Sequence, residues 1–289
     1  MKPLAEEDLQ PLITMVRQDR GIDLSRYKDR YLRRRIGVRL RASGAHNLKH
    51  YLRLLSRDEG EYGKFIDTVT VNTSNFFRNS RCFQMLADHV LPELNARGDL
   101  TSLRPPHFLS AGCARGEEAY SLAILVSRFP QFTRELVRPP VIAIDIDISS
   151  LDAARAGRYG SRALAGVPAE LKNGYFEKSG SLFSVSDRIK NLISFMRHDI
   201  LNDPLPGRFL LVLCRNLLIY LEKEAQEMLI QRLTDSLYPG GYLVLGKSEV
   251  LVGETRSRFK PVFPGERIYQ KVDHDHGPPE PPPAPGRVE

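Results

Sequence analysis

LSAGCARGEEAY (residues 109–120) and IAIDID (residues 142–147) decide the predicted fold of this 289-residue chain. The first stretch joins an apolar strand candidate to a turn of small residues and then to a helix candidate over residues 117–129. The second stretch is an apolar strand candidate that ends in carboxylates. A glycine-bearing turn between a strand and a helix lets a ligand approach the backbone, and an acid that ends the next strand can accept hydrogen bonds from ribose hydroxyls. The pair therefore predicts an α/β fold with a nucleoside pocket.

Two acids at the start of the helix candidate, Glu117 and Glu118, indicate which nucleoside. A pyrophosphate at a helix start needs free backbone N–H groups and would be repelled by carboxylates beside them. Two acids instead favour a ligand with a cationic end. S-adenosylmethionine, which carries a ribose, an amino group and a sulfonium, fits this requirement. The alternative is that both acids only cap the helix, as acids at helix N-termini often do.

Length and composition bound the class of protein. The chain is long enough for a full α/β domain and a smaller one, and it has no apolar run near the roughly 20 residues that span a bilayer. Its three cysteines (Cys82, Cys113 and Cys214) are widely spaced and show no metal-ligand pattern. Reduced thiols in a cytoplasmic protein are expected, with no metal site and no insertion into a membrane.

The net charge of +7 is concentrated in one segment. Residues 17–41 hold ten basic residues and three acids, so this segment alone carries the whole excess. On a helix predicted over residues 27–41, Arg30, Arg34 and Arg41 fall within about 40° of one another. Another side of the same helix carries an apolar stripe of Leu32, Ile36 and Leu40. The arginines indicate a binding face for an acidic partner, either nucleic acid or an acidic protein surface; the alternative is a merely solvated face.

The order of predicted elements separates two regions. Up to about residue 75 only helices are predicted, over residues 4–20, 27–41, 46–56 and 59–70. After a further helix over residues 80–94, strands predicted at 108–111, 141–146, 192–196, 209–214 and 242–246 alternate with helices at 117–129, 149–156 and 223–237. A late strand is predicted at 267–272, and a hairpin turning at Gly180 within residues 175–189. This pattern predicts a mostly parallel sheet with helices on both faces.

Polar residues follow several of these strands. In open α/β sheets, ligands bind outside the carboxyl ends of the strands. Asp145, Asp199, Arg215 and Asn216 should therefore meet Glu117 and Glu118 along one edge. At the junction of the two regions, VNTSNFFR (residues 71–78) adds a cation, Arg78, whose expected partial burial would require a carboxylate partner. The alternative is that this segment is only a helix-capping turn whose aromatic residues lie in the core. For Phe76 and Phe77 we expect this structural role.

Five ordered motifs carry a family resemblance: VNTSNFFR, SAGCARGEEAYS (110–121), AIDID followed by LDAARAGRY (151–159), CRNLLIYL (214–221) and GYLVLGKSE (241–249). In order and spacing they resemble the CheR chemotaxis receptor methyltransferases. The resemblance implies a helical N-terminal domain (residues 1–75) and a Rossmann-like, S-adenosylmethionine-dependent methyltransferase domain (76–273) with a small β-subdomain at about 160–190. The last sixteen residues, 274–289, contain six prolines and are expected to be a disordered tail.

The resemblance also implies an activity and a site. The activity is methyl transfer from S-adenosylmethionine to glutamate side chains on the cytoplasmic helices of chemoreceptors, by a monomer, for adaptation in chemotaxis signalling; S-adenosylhomocysteine is the second product. The residues implied to line the cofactor are Asn72, Ser74, Arg78, Glu118, Asp145, Asp199, Ile200, Arg215 and Asn216. Arg78 and Tyr220 are expected near the transferred methyl group, and Arg30, Arg34 and Arg41 at the receptor.

The chain departs from the usual family pattern at several positions. Ser74 stands where threonine is usual and keeps the hydroxyl, Ala119 replaces a common proline, and Lys247 replaces a common histidine. Two other functions stay open. An RNA methyltransferase would also use an arginine face, although no series of stacking aromatics follows it and nucleic acid is not expected. The other is a scaffold that retains the fold and only senses S-adenosylmethionine; the presence of Arg78, Glu118, Asp145 and Tyr220 together counts against it.

Overall fold

The N-terminal region of the computed structural model is helical, as predicted. The structure describes residues 8–70, 74–97, 107–133 and 138–272. Its first four helices are α1 (Gln10–Arg20), α2 (Asp29–Ser43), α3 (Leu48–Leu55) and α4 (Glu59–Thr70). The predicted apolar stripe of α2 is buried in one core that all four helices share. Asn72 and the predicted disordered tail lie outside the described residues.

A seven-stranded sheet forms the second region. The ten described strands are β1 (Phe108–Ala111), β2 (Val141–Asp145), β3 (Arg158–Gly160), β4 (Phe176–Ser179), β5 (Leu182–Val185), β6 (Ile193–Arg197), β7 (Phe209–Cys214), β8 (Leu237–Leu245), β9 (Phe259–Phe263) and β10 (Ile268–Lys271). The large sheet has the order β6-β2-β1-β7-β8-β10-β9. Its first five strands are parallel, and β10 and β9 are antiparallel to their neighbours. The predicted mostly parallel sheet is confirmed.

Helices cover both faces of this sheet. They are α5 (Ser80–Met85), α6 (Leu91–Ala96), α7 (Glu117–Val126), α8 (Ile148–Ala156), α9 (Ala169–Tyr175), α10 (Asp187–Lys190) and α11 (Lys223–Ser236), with a π-helical turn between α5 and α6. Successive residues of β1 belong to opposite cores: Phe108 packs with α5, α6 and α7, whereas Leu109 packs with α11. The burial of both faces explains why the parallel strands are apolar without alternation.

A small antiparallel sheet of order β3-β5-β4 lies beside the large one. The predicted hairpin is β4 and β5, and Gly180 occupies the turn with φ +60°. The third strand, β3, begins at Arg158 and was not predicted, because three residues are too few to show a period.

Backbone and side-chain bonds attach the helical region to the sheet region. The amide of Lys28 donates to the carbonyl of Tyr220 (2.9 Å) and the amide of Glu222 donates to the carbonyl of Arg26 (2.8 Å). The Arg197 guanidinium donates to the carbonyl of Arg20 (2.7 Å). The start of α2 is thereby held against the segment that follows β7. Within the described ranges, the structure contains no helix long and apolar enough to cross a bilayer.

Candidate active site

The largest concentration of predicted site residues lies in one pocket at the carboxyl ends of β1, β2, β6 and β7. The chain runs from β1 outward to β2 and β6 and then returns to the other side of β1 as β7. Such a reversal opens a crevice in which α/β proteins bind ligands. The predicted residues that line this pocket are Ser74, Arg78, Glu118, Asp145, Asp199, Ile200, Arg215, Asn216 and Tyr220. The structure brings them together; their individual roles stay predictions.

Asp145 is the last residue of β2 and lies on the pocket wall. One carboxylate oxygen accepts the Ala114 amide (2.8 Å) and the other accepts the Asp147 amide (3.0 Å). These bonds fix the carboxylate and leave lone pairs free, because an ionised carboxylate has about four acceptor sites. Burial raises the pKa of Asp145 to about 6, with the backbone bonds opposing the rise. The arrangement suits recognition of vicinal hydroxyls.

Glu118 and Arg215 form a buried ion pair that joins three elements of the pocket. A guanidinium nitrogen of Arg215 donates to a carboxylate oxygen of Glu118 (3.2 Å), and the other oxygen of Glu118 accepts the Ser110 hydroxyl (2.9 Å). The second terminal nitrogen of Arg215 donates to the carbonyl of Arg78 (2.8 Å). With side-chain exposures of 11% for Glu118 and 2% for Arg215, neither charge has much access to solvent. Arg215 thus links β7 to α7 and to the turn that carries Arg78.

The pairing with Arg215 rules out the alternative that Glu118 only caps its helix. The N-cap residue of α7 is Gly116, and its terminus receives no side-chain capping bond. Glu118 instead turns inward to Arg215 and Ser110, so its carboxylate is part of the pocket wall and not a helix cap. Glu117 is buried as well, and burial raises its pKa, but it is not among the pocket-lining residues.

Gly116 shows why the turn before α7 needs glycine. Its φ is +92°, and a Cβ there would lie 2.9 Å from the Cβ of Ala154 and 3.2 Å from the ring of Phe195. A side chain would therefore force α7 away from α8 and β6, opening the pocket floor.

The segment around Arg78 corrects one expectation. Phe76 and Phe77 are buried in the core, as predicted. The backbone amide of Phe77 donates to the Ser121 hydroxyl (2.9 Å) on α7. Arg78 itself is exposed, so the expectation of a partly buried cation was wrong. Its φ-strained neighbours Phe77 (φ +51°) and Asn79 (φ +60°) turn the chain so that Arg78 projects outward at the mouth of the pocket.

Asp199 has a structural role in its own turn. One carboxylate oxygen accepts the Leu201 amide (2.9 Å) and the other accepts the Asn202 side-chain amide (2.7 Å). These bonds shape the loop after β6, on which Ile200 and His198 also line the pocket. His198 is 8% exposed, and its Nε2 has no hydrogen-bond partner among the described residues.

Asn216 is held by a residue that sequence reasoning missed. Asn216 has φ +62°, and its amide donates to a carboxylate oxygen of Glu249 (2.8 Å). The same oxygen accepts the Gly246 amide (2.5 Å), and the other oxygen lies 3.4 Å from the Ile219 amide. Glu249 is only 3% exposed. It therefore fixes the loop that carries Asn216 and Tyr220. The available signal was an acid after the apolar strand in GYLVLGKSE.

The basic helix lies next to Tyr220. The rings of Tyr220 and Tyr31 are 4.7 Å apart, and the guanidinium of Arg34 is 5.9 Å from the Tyr31 ring. Arg30, Arg34 and Arg41 are exposed and make no ion pair with any residue that the structure describes. Two other arginines of α2 form ion pairs within the chain: Arg33 pairs with Asp29, and Arg39 pairs with Glu61. Only part of the charge run is therefore available to a partner.

Comparison with known proteins identifies the family. Residues 72–266 match the family model "CheR methyltransferase, SAM binding domain", and residues 7–70 match "CheR methyltransferase, all-alpha domain". The chain belongs to the CheR methyltransferase family. It is an S-adenosylmethionine-dependent methyltransferase of chemotaxis, as the resemblance predicted.

Individual relatives agree with this membership. A chemotaxis protein methyltransferase of Listeria innocua is 32% identical over 87% of this chain and 93% of that protein. Another, of Borreliella burgdorferi, is 28% identical over 86% of this chain and 90% of that protein. An uncharacterized 104.1 kDa protein of Rhodobacter capsulatus is 34% identical over 85% of this chain, but the chain spans only 26% of its length. A solved glycopeptide N-methyltransferase, MtfA, has a TM-score of 0.31 at 18% identity over 53% of this chain and 48% of MtfA, which is too low to support a structural argument.

The pocket residues fit the cofactor. Asp145 presents fixed carboxylate oxygens for ribose hydroxyls, and the glycine-bearing turn at 112–116 permits close approach of a ligand to the backbone. Acidic rather than basic groups dominate the inner wall, with the charge of Arg215 neutralised by Glu118. A cationic sulfonium and amino group suit this lining better than a pyrophosphate.

Proposed function

We propose that this CheR-family methyltransferase transfers the methyl group of S-adenosylmethionine to glutamate side chains on the cytoplasmic helices of chemoreceptors. The products are glutamyl methyl esters and S-adenosylhomocysteine, and the reaction serves adaptation in chemotaxis. The observation that carries the proposal is the junction of a nucleoside pocket, ending at Tyr220, with an exposed arginine stripe on α2. An acidic receptor helix bound to that stripe would lie beside the pocket mouth.

Cofactor binding is assigned to the residues of the pocket wall. Asp145 holds the ribose hydroxyls, and the Glu118 carboxylate, already oriented by Arg215 and Ser110, faces the amino-acid end. Asn72, Ser74, Asp199, Ile200 and Asn216 complete the predicted set. The bound cofactor supplies a methyl group on a positively charged sulfur, which is activated for displacement.

The chain's contribution to the reaction is mainly positioning. A glutamate carboxylate is ionised at neutral pH, so no strong general base is needed to make it a nucleophile. Arg78, exposed at the pocket mouth, attracts this carboxylate, and Tyr220 shapes the transfer end together with the Tyr31 ring. Holding both reactants in line and excluding water then accounts for the acceleration.

Receptor recognition is assigned to Arg30, Arg34 and Arg41. They lie on one exposed stripe of a helix whose first residues bond to the backbone around Tyr220. Complementary charge accelerates encounter and fixes orientation more than it adds affinity. In this proposal residues 1–75 form a receptor-facing domain and residues 76–273 the catalytic domain, in a cytoplasmic monomer.

The test is transfer of labelled methyl from S-adenosylmethionine to receptor-containing membranes by the purified chain. Base-labile label on the receptor band is the expected result, since carboxyl methyl esters hydrolyse in base. A matched reaction with Asp145→Asn should lose most transfer through weaker cofactor binding. Base-stable label, or label on added RNA with filter binding at moderate salt, would instead favour the RNA methyltransferase. Cofactor binding without any transfer would favour the sensing scaffold.

A further inference from the structure

Tyr27 lines the pocket although it belongs to the helical N-terminal region. It precedes α2 and lies on the pocket wall together with Asp145, Asp199, Tyr220 and Leu221. Its ring is half-buried and packs against the core of the helices and against the α11 side of the sheet. Apart from Thr70, Ser74 and Arg78, the other described lining residues belong to the sheet region, so Tyr27 brings a side chain from the start of the basic helix to the pocket.

The backbone fixes Tyr27 in this position. Tyr27 and Leu221 form an antiparallel bridge, which the bonds from Lys28 to Tyr220 and from Glu222 to Arg26 extend on either side. The Lys28 ammonium also donates to the carbonyl of Ile219 (2.9 Å). A surface side chain would not need this anchoring, whereas a ligand contact must be held to within about 0.5 Å to be effective.

Tyr27 shares the pocket wall with two acids, Asp145 at the end of β2 and Asp199 in the loop after β6. Burial raises the pKa of Tyr27, and the charges of Asp145 and Asp199 raise it further, so the hydroxyl keeps its proton at all working pH values. Among the described residues it makes no hydrogen bond. A half-buried phenol that faces a pocket with its donor unused has a place for a ligand acceptor.

We propose that Tyr27 is a cofactor-binding residue, whose hydroxyl donates a hydrogen bond to the nucleoside of the bound S-adenosyl ligand while its ring closes the pocket from the helical side. The inference rests on the proposed function, because it takes the pocket to be the cofactor site. It has a consequence for the molecule as a whole. Cofactor bound against Tyr27 also stabilises the bridge at Leu221, and so the attachment of the arginine-bearing helix.

Two variants and a matched control test the proposal by titration with S-adenosylhomocysteine. Tyr27→Phe should weaken binding about 3- to 10-fold, the effect of one hydrogen bond, and Tyr27→Ala should weaken it more because the ring is lost. Tyr238→Phe, at the start of β8 and remote from the pocket, should bind like the parent protein. Thermal unfolding of Tyr27→Phe should match that of the parent, since this hydroxyl makes no bond with a described residue.

Hydrogen exchange gives a second readout. In the parent protein, S-adenosylhomocysteine should slow exchange of the Lys28 and Glu222 amides, and Tyr27→Ala should abolish this protection. Parent-like affinity of both Tyr27 variants would overturn the inference, as would a raised KM for receptor with cofactor affinity intact, which would assign Tyr27 to the acceptor. Failure of the parent protein to bind S-adenosylhomocysteine would overturn the proposed function itself, and the inference with it.

Discussion

Replacing Glu249 should damage both the stability and the cofactor site, because its carboxylate is buried and serves backbone amides only. It accepts the amides of Asn216 at 2.8 Å and Gly246 at 2.5 Å, with Ile219 at 3.4 Å as a weaker contact. A buried donor that loses its partner costs about 1–3 kcal/mol. Glu249→Leu leaves two well-bonded amides without an acceptor, so we expect a loss of roughly 2–6 kcal/mol of unfolding free energy.

The conservative variant separates charge from shape. Glu249→Gln can keep an oxygen at the position that accepts the Asn216 and Gly246 amides. It loses the charge assistance, which about doubles a hydrogen bond's strength, and it replaces the acceptor of the weaker Ile219 contact by an NH2 group. We expect a cost of about 1–2 kcal/mol for it. Gly246→Ala tests the same contact from the other side, since its Cβ would lie 2.5 Å from the Glu249 carboxylate oxygen and 2.8 Å from the Asn216 amide nitrogen. Glu254, which is exposed, provides the matched control Glu254→Leu.

The assays are urea unfolding and titration with S-adenosylhomocysteine. Asn216 tolerates its left-handed conformation but does not require it, so without Glu249 the loop should relax and move Tyr220. We therefore expect the affinity of Glu249→Leu to fall on the order of 10-fold, equivalent to about 1.4 kcal/mol. If Glu249→Leu unfolds at the same urea concentration as Glu254→Leu and binds the ligand equally well, the reasoning from buried amides is refuted.

The remaining predictions concern three charged groups of the site. Because the pKa of Asp145 is raised to about 6, S-adenosylhomocysteine should bind about 10-fold more weakly at pH 5 than at pH 8, and titration of Asp145→Asn should lack this dependence. Between about pH 4 and pH 6 the folded state holds the Asp145 proton and the unfolded chain does not. The unfolding free energy of the ligand-free protein should therefore fall by about 1.4 kcal/mol for each unit by which the pH rises in this range, which urea unfolding can measure. Glu118→Gln leaves Arg215 buried without a charge partner and should cost roughly 3–5 kcal/mol; parent-like unfolding would contradict the pairing. Charge reversal at Arg30 and Arg41 should lower receptor methylation, more at low salt, and leave ligand titration unchanged; a loss of cofactor affinity would contradict the separation of the two faces.

Local patterns in the sequence were enough to predict the layered fold. The parallel strands are short apolar runs that end in polar residues. This local pattern was enough to predict where they lie and that they are buried strands. The elements that were missed lack such a pattern. β9 contains Pro261, which argues against a strand and is tolerated here because β9 is an edge. α9 has no buried residue and therefore no apolar stripe.

The hydrogen-bond and ion-pair partners of the site residues were harder to predict than the places of these residues in the fold. The strand-end rule placed Glu118 and Arg215 at the same edge, but their pairing joins residues 97 positions apart and depends on how deeply both are buried. The rule likewise does not reveal that Asp199 uses both oxygens in its own turn. Burial of Arg78 was wrongly expected because adjacent aromatics suggested a core, whereas a strained turn directs it outward. Sequence spacing assigns a residue to a face; it does not assign its hydrogen bonds.

The contacts at Tyr220 explain how one short segment can serve both halves of the site. On one side its loop is fixed by Glu249 through Asn216 and Ile219, and on the other its carbonyl accepts the Lys28 amide at the start of α2. The Tyr31 ring, which contacts Tyr220, lies under Arg34. In the proposed reaction, an acidic helix on the arginine stripe would lie one side chain away from Tyr220 at the end of the pocket. Because transfer rates depend steeply on the relative placement of the reactants, a rigid connection between the two halves is the feature that this reaction most needs.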